Sequence, residues 1–313
     1  MKKKYKIGLV GLGNISKKHI EAITLSKYFI LEAICDLNTK NLENFKHIKN
    51  IKFYNRYKNM LQDNDIDIIS ICSPSGLHAK QAILASKYKK IVITEKPMAT
   101  NLKDAKSMIN IFSKQKLRLF VIKQLRFNPS LLLMKDIISK NKLGKIYLIQ
   151  SNIFWNRNQK YYEASKWRGS INMDGGAMLN QSSHFIDLIN WFCGPIKKVS
   201  SYIDTLARKI KVEDTSVINF ITKNLTYGSI AITMLNYEKN FESSLSFVCE
   251  NGSIKLKGQL LDQIEDINFK DKKLEKNLIS KFKSNYKLNK NYHTRFYNNV
   301  GYSLSKKECS AVS

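Results

Sequence analysis

The stretch Thr94-Glu95-Lys96-Pro97 closes the apolar run Ile91-Val92-Ile93 on a charged pair and a proline. Strands of this kind usually end in glycine, asparagine or aspartate. In a doubly wound sheet ligands lie beyond the carboxyl ends of the strands, so Lys96 stands at such a crevice. Alone, it reads equally well as a solvated loop lysine paired with Glu95. A second set lies in DGGAMLNQSSHFIDLINWF, residues 174–192. Asn180 and His184 are four apart and on a helix share one face. Asp187, one turn beyond His184, is close enough to orient an imidazole. A third set lies in WNRNQKYYEASKWRG, residues 155–169. Arg157 and Arg168 can bind a carboxylate or phosphate in bidentate fashion. Trp155, Tyr161, Tyr162 and Trp167 offer flat faces to a sugar or base. The alternative is a loop packed by its own aromatics, and two arginines inside it weigh against that.

These groups need elements to hold them. Residues 4–10, 29–36, 52–53, 66–73, 89–95 and 117–123 read as strands, separated by helical stretches at 15–26, 78–88 and 101–115 and a further helix after the third strand. That alternation predicts βαβ units and a parallel sheet. After Gln124 the pattern changes. A helix over 129–140 leads into a long alternating strand at 145–155, with further strands at 196–205, 214–222, 227–235 and 243–249. Strands in succession predict a large, mostly antiparallel sheet. The expected organisation is a Rossmann domain over 1–124, an α+β domain over 125–290 and a helical segment over 291–313, whose helix covers 292–304 before an unpatterned tail.

The first turn, Gly11-Leu12-Gly13-Asn14-Ile15-Ser16, is G-x-G-x-x-S between a strand and a helix. Gly11 permits the tight turn, and Gly13 lets backbone approach a pyrophosphate at the helix N-terminus. Ser16 stands where a third small residue allows close packing. Asp36 ends the second strand, placed for both ribose hydroxyls of an adenosine. It would repel a 2′-phosphate, and neither Leu37 nor Asn38 supplies a cation, so NAD is expected over NADP. The alternative is a flavodoxin-like glycine turn with no dinucleotide.

The chain of 313 residues carries 53 Lys+Arg against 25 Asp+Glu, a formal +28. A polyanion partner is one reading. The lysines form no single basic block and do not alternate with aromatics, which favours compositional drift; no nucleic-acid partner is expected. No apolar run of about 20 residues could span a bilayer, and the start lacks a signal-peptide cleavage site, so a cytoplasmic protein is expected. Cysteines at 35, 72, 193, 249 and 309 show no C-x-x-C spacing, which argues against disulfides and structural zinc. No metal is expected.

Four features together resemble the glucose–fructose oxidoreductase/inositol dehydrogenase (Gfo/Idh/MocA) family. They are the GLGNIS turn, Ser73-Pro74 with His78, Glu95-Lys96-Pro97, and Gly175-Gly176 leading to His184 and Asp187. The resemblance implies an NAD-dependent sugar dehydrogenase. Asn14, Ile15, Ser73, Pro74, His78, Glu95 and Gln124 would join Gly11, Gly13, Asp36 and Lys96 around the cofactor. Lys96 would reach a substrate hydroxyl, His184 would be the catalytic histidine, and Asp187 would support it. A lysine beside a cationic nicotinamide has its charged form disfavoured and can exchange a proton with an alcohol. Many members carry aspartate where this chain has Asn180, which cannot act as a base. The Asn180-Gln181 pair and the segment with Arg157, Tyr161, Trp167 and Arg168 resemble dehydrogenases that oxidise C3 of UDP-N-acetylglucosaminuronic acid for surface polysaccharides. A free sugar or inositol, or a non-catalytic NAD-binding regulator, remains the alternative. The family also implies a homodimer or homotetramer. Its pattern continues through a further loop and long helix beyond this sequence, which bears on stability more than on the site residues.

Overall fold

The computed structural model describes residues 4–288 and 291–306; the tail expected after the last helix, with Cys309, lies outside them. The chain divides into two compact units. One holds residues up to Gln124, then Asn172–Asp174, then the last helix. The other holds Leu125–Ile171 and Gly175–Lys290.

In the first unit, strands β1 (Tyr5–Val10), β2 (Phe29–Cys35), β3 (Lys52–Tyr54), β4 (Ile68–Ile71), β5 (Ile91–Thr94) and β6 (Leu119–Val121) form a parallel sheet in the order 3-2-1-4-5-6. Helices α1 (Ser16–Thr24), α2 (Thr39–Glu43), α3 (Tyr57–Gln62), α4 (His78–Lys87) and α5 (Leu102–Lys114) connect them. All four residues of β4 are buried, as a strand covered on both faces requires. Asn101 starts α5 by accepting the Asp104 N–H at 2.8 Å.

In the second unit, α6 (Pro129–Ser139) opens behind an Asn128 cap, whose side chain accepts the Ser130 N–H, with Pro129 at the first helical position. Strand β7 (Ile146–Phe154), α7 (Gln159–Glu163) and α8 (Ser183–Cys193) follow. Then come β8 (Ile196–Asp204), β9 (Thr215–Thr222), β10 (Tyr227–Thr233), β11 (Glu242–Cys249), β12 (Gly252–Lys257), β13 (Gln263–Phe269) and α9 (Lys272–Tyr286). The seven strands run 13-12-11-7-10-9-8, antiparallel except that β7 and β10 pair in parallel. Strands β12 and β13 and helix α9 are not legible in the sequence pattern. Helix α9 buries only Leu278 and Phe282 in a lysine-rich stretch, so its apolar stripe is thin. Its readable signal is Asp271, which accepts the N–H of Lys273 and Leu274.

One face of this sheet packs on the core. On the other, paired residues put Val248, Leu148, Tyr227 and Ile221 in a row across four strands, and Tyr202 beside Val217. Tyr202 is 84% exposed and Tyr227 59%. Helix α10 (Tyr292–Lys306) belongs to the first unit. It packs along α1, with Gly301 flush against Tyr28, where a Cβ would sit 2.4 Å from that side chain.

Candidate active site

The glycine turn of the first unit is shaped as its residues predict. Gly11 has φ +91°, and a Cβ there would lie 2.5 Å from the Ser73 nitrogen. Only glycine lets the loop after β1 lie this close to the end of β4. A Cβ on Gly13 would meet nothing within 4 Å, which leaves its surroundings open to a ligand. Asn14 and Gly13 are exposed, Ile15 caps α1, and Ser16 is fully buried with its hydroxyl donating to the Gly13 carbonyl at 2.7 Å. Asp36 is pinned at the end of β2. Its Oδ2 accepts the Leu12 N–H at 2.7 Å and its Oδ1 the Asn38 N–H at 2.8 Å. The carboxylate is thereby fixed next to the glycine turn, with lone pairs left for a diol. Asn38 caps α2 and brings no charge. These residues fit a dinucleotide with a free adenosine ribose.

Ser73 and His78 act as struts. The His78 ring spans the Ser73 carbonyl (Nε2, 2.8 Å) and the Pro97 carbonyl (Nδ1, 2.7 Å). It therefore ties the end of β4 to the turn that carries Lys96. Burial lowers its pKa, against the pull of the two carbonyls. Pro74 precedes the short turn Ser75–Leu77, and Gln124 begins the turn Gln124–Phe127. Lys96 is half-buried, directly after β5.

Glu95 is almost wholly buried. Its Oε1 accepts from His19 Nε2 at 2.9 Å, and its Oε2 accepts the Lys96 N–H at 3.0 Å. Burial would push the carboxyl up, but His19 and His293 outweigh that and hold it well below the ordinary carboxylate range. Burial in turn lowers His19, which stays neutral. Both groups therefore bind fewer protons folded than unfolded. The stability they contribute is fully present above the unfolded values, 6.5 for the histidine and 4.5 for the glutamate, and is lost as pH falls below each of these through the lower folded value. The melting temperature is expected to fall as pH drops from about 7 toward about 4. A melt that is flat or rises over that range would contradict this reading of the cluster.

In the second unit the histidine segment departs from a plain helix. Gly175 and Gly176 both have positive φ (+91° and +83°). Residues Ala177–Gln181 then form a wide π-turn, with the Ser182 N–H donating to the Ala177 carbonyl at 2.9 Å. A break at Ser182 precedes α8. Asn180 and His184 therefore share no continuous α-helix face. Glu213 caps the start of this turn. Its carboxylate accepts the Met178 N–H at 2.8 Å, its carbonyl accepts the Ala177 N–H at 3.1 Å, and a Cβ on Gly176 would lie 2.1 Å from the carboxylate. Such π-turns are frequent at functional sites. Asn180 is buried and His184 half-buried. Both Asp187 oxygens accept from Arg126, at 2.8 Å from Nε and 2.8 Å from Nη2. Arg126 also lies over the Trp191 ring. Neither Glu213 nor Arg126 stands out in the sequence, because each acts on a segment distant along the chain.

The third set comes together. Arg157 and Arg168 lie over the same Tyr161 ring, at 5.4 and 4.2 Å from its centroid, and Arg168 also lies 5.7 Å from Trp167. Gln181 donates to the Tyr161 hydroxyl at 2.9 Å and accepts from Arg157 Nε at 3.0 Å. Arg168 Nη1 donates to the Tyr161 carbonyl, while its buried Nε has no partner among the described residues. Neither arginine is ion-paired among those residues. Two guanidinium groups beside one ring, with one donor unused, make a site complementary to an anion. Trp155 and Tyr162, each 6% exposed, belong instead to the core. Trp155 packs edge-on against Phe185 and donates to the Ser243 hydroxyl.

Residues 5–123 match the oxidoreductase family with an NAD-binding Rossmann fold, and residues 131–255 match the GFO/IDH/MocA C-terminal domain. The chain is 36% identical to the WlbA dehydrogenase of Bordetella pertussis, solved with NADH and UDP-GlcNAcA. The likeness covers 99% of this chain and 90% of that one, with a TM-score of 0.91. A WlbA dehydrogenase from Chromobacterium violaceum, solved with the same ligands, is 34% identical over 99% and 88%, again at 0.91. Myo-inositol 2-dehydrogenase of Thermotoga maritima is 27% identical over 231 residues, which is 72% of this chain and 67% of that protein. The chain belongs to the Gfo/Idh/MocA family of NAD-binding oxidoreductases.

Proposed function

We propose that this protein oxidises C3 of a UDP-linked N-acetylhexosaminuronate with NAD, as a cytoplasmic enzyme of nucleotide-sugar metabolism that serves surface polysaccharide synthesis. The observation that carries the reading is the pair of guanidinium groups around Tyr161, with no ion pair to either among the described residues. A uronate or diphosphate supplies the charge they lack. The likeness to dehydrogenases solved with UDP-GlcNAcA supports the same substrate class.

Bound NAD supplies the hydride acceptor. Gly11 and Gly13 give its pyrophosphate room, and Asp36 takes the adenosine ribose. Lys96 hydrogen-bonds the reacting hydroxyl and lowers its effective pKa. The carbon loses a hydride, the hydroxyl loses its proton to His184, and the carbon–oxygen bond becomes a carbonyl. Asn180 can orient a hydroxyl but cannot take the proton. Asp187, fixed by Arg126, supports the helix that carries His184. A dehydrogenase of free sugars or inositols is the second reading, favoured by the inositol dehydrogenase relative. Absorbance at the NADH band separates the two readings. With NAD present, it is expected to rise with UDP-GlcNAcA and stay flat with myo-inositol and glucose. The reverse pattern would establish the second reading, and silence across all of them with NADH still bound would establish a regulator.

The apolar row Val248–Leu148–Tyr227–Ile221 is the surface a second copy would cover, since a soluble monomer rarely exposes such a patch without a partner. A dimer or tetramer is expected by light scattering at micromolar concentration. Tyr227→Glu is expected to shift it toward the monomer, and a wild-type monomer would contradict the assignment.

A further inference from the structure

Beneath Lys96 the first unit holds polar groups that the proposed reaction does not use. His19, on α1, is fully buried, and His293 and Tyr297, on α10, are 4% and 0% exposed. His19 Nε2 donates to Glu95, and its Nδ1 lies 2.9 Å from the Tyr297 hydroxyl. That hydroxyl continues to Ser70 on β4, at 2.8 Å. His293 Nε2 lies 3.4 Å from the Glu95 oxygen that His19 occupies, and has no closer hydrogen-bond partner among the described residues. The two imidazoles pack with centroids 5.0 Å apart. Elements far apart in the sequence thus converge on one carboxylate, whose second oxygen holds the Lys96 N–H.

A buried carboxylate is costly unless fully paired. Here pairing comes from α1 and α10, and the residue it secures is the one after it. We propose that Glu95 is a positioning residue and not a cofactor ligand: with His19, His293 and Tyr297 it forms a buried clamp through which α10 fixes the Lys96 turn. This rests on the reading of Lys96 as the lysine that meets the substrate hydroxyl. His19, Glu95 and His293 each offer one ligand atom, and these atoms all lie within 4.8 Å of one another, a spacing a divalent cation could also bridge. The hydrogen bonds argue for the clamp. The 2.9 Å contact places an N–H where a metal would need the His19 lone pair, and Nδ1 is already engaged by Tyr297.

The test uses Glu95→Gln and His293→Ala in the full chain. Glutamine keeps the shape but has a single acceptor oxygen, so either the Lys96 N–H loses its acceptor or the neutral His19 ring must switch tautomer and reverse its bond to Tyr297. Hydrogen exchange at the Lys96 amide is expected to quicken by about tenfold or more in both variants. NADH affinity is expected to stay within about threefold of wild type, while kcat for UDP-GlcNAcA falls by about 10- to 100-fold at unchanged KM. Unaltered Lys96 exchange, or a tenfold loss of NADH affinity in Glu95→Gln at an unchanged melting temperature, would overturn the proposal. So would one equivalent of zinc in the purified wild type that is lost in His293→Ala. If Glu95→Gln does not fold, Tyr297→Phe removes only the hydroxyl between His19 and Ser70 and carries the same exchange test. A wild type that leaves UDP-GlcNAcA untouched while Lys96 exchange responds as stated removes the substrate reading and supports the clamp.

Discussion

Replacing His184 by asparagine, or Lys96 by methionine, is expected to lower kcat by about 10²–10⁴, the usual cost of removing a general acid or base. That corresponds to about 3–5 kcal/mol of transition-state stabilisation. The two residues are separable. Asparagine at 184 keeps a polar group of similar size but cannot take a proton, and Asn180 nearby in sequence offers no substitute base. Methionine at 96 keeps the length of the side chain and its packing but removes the ammonium that polarises the hydroxyl. Neither residue is assigned to adenosine or pyrophosphate, so NADH titrations are expected to match wild type in both. If His184→Asn kept most of the activity, the proton would have to go to Lys96, and the order of roles would reverse.

The second large effect is expected at the arginines. Arg168→Ala should raise KM for a UDP-uronate by roughly 10- to 100-fold, the equivalent of losing a charge-assisted hydrogen bond of about 1.5–3 kcal/mol. Arg157→Ala should cost less in direct contact, because Arg157 already spends Nε on Gln181 and Nη1 on the Asn156 carbonyl. Its loss should instead loosen Gln181 and the Tyr161 ring. Arg168 has a buried Nε with no partner among the described residues, so its capacity is the less committed of the two. Unchanged KM in both variants would remove the physical basis for a nucleotide-sugar substrate.

What the sequence makes legible is local. Gly11, Gly13 and Asp36 lie within one βαβ unit, and short-range rules give their geometry: a positive φ, an open approach and a carboxylate at a strand end. The alternation of β1 to β6 with helices is equally direct, since parallel strands need crossovers. Less legible is whatever depends on partners distant along the chain. The start of the π-turn at Ala177–Gln181 is capped by Glu213, and four-residue spacing alone suggests a plain α-helix there. Asp187 is held by Arg126, 61 residues away, and His19 meets Tyr297 across 278 residues. Trp155 and Tyr162 read as ligand platforms because exposure is invisible in a string of letters; burial removes both. Strands β12 and β13 and helix α9 escape notice because polar and lysine-rich positions dilute their apolar pattern.

Hydride transfer from C3 of a UDP-linked uronate is the central claim, and isotopic labelling tests it most directly. With UDP-GlcNAcA deuterated at C3 and NAD in a single turnover, deuterium is expected in the reduced nicotinamide, with slower NADH formation than for the unlabelled sugar. NADH that forms from UDP-GlcNAcA without deuterium would place the reaction at another carbon, and no NADH at all from this substrate, with the cofactor bound, would contradict the account.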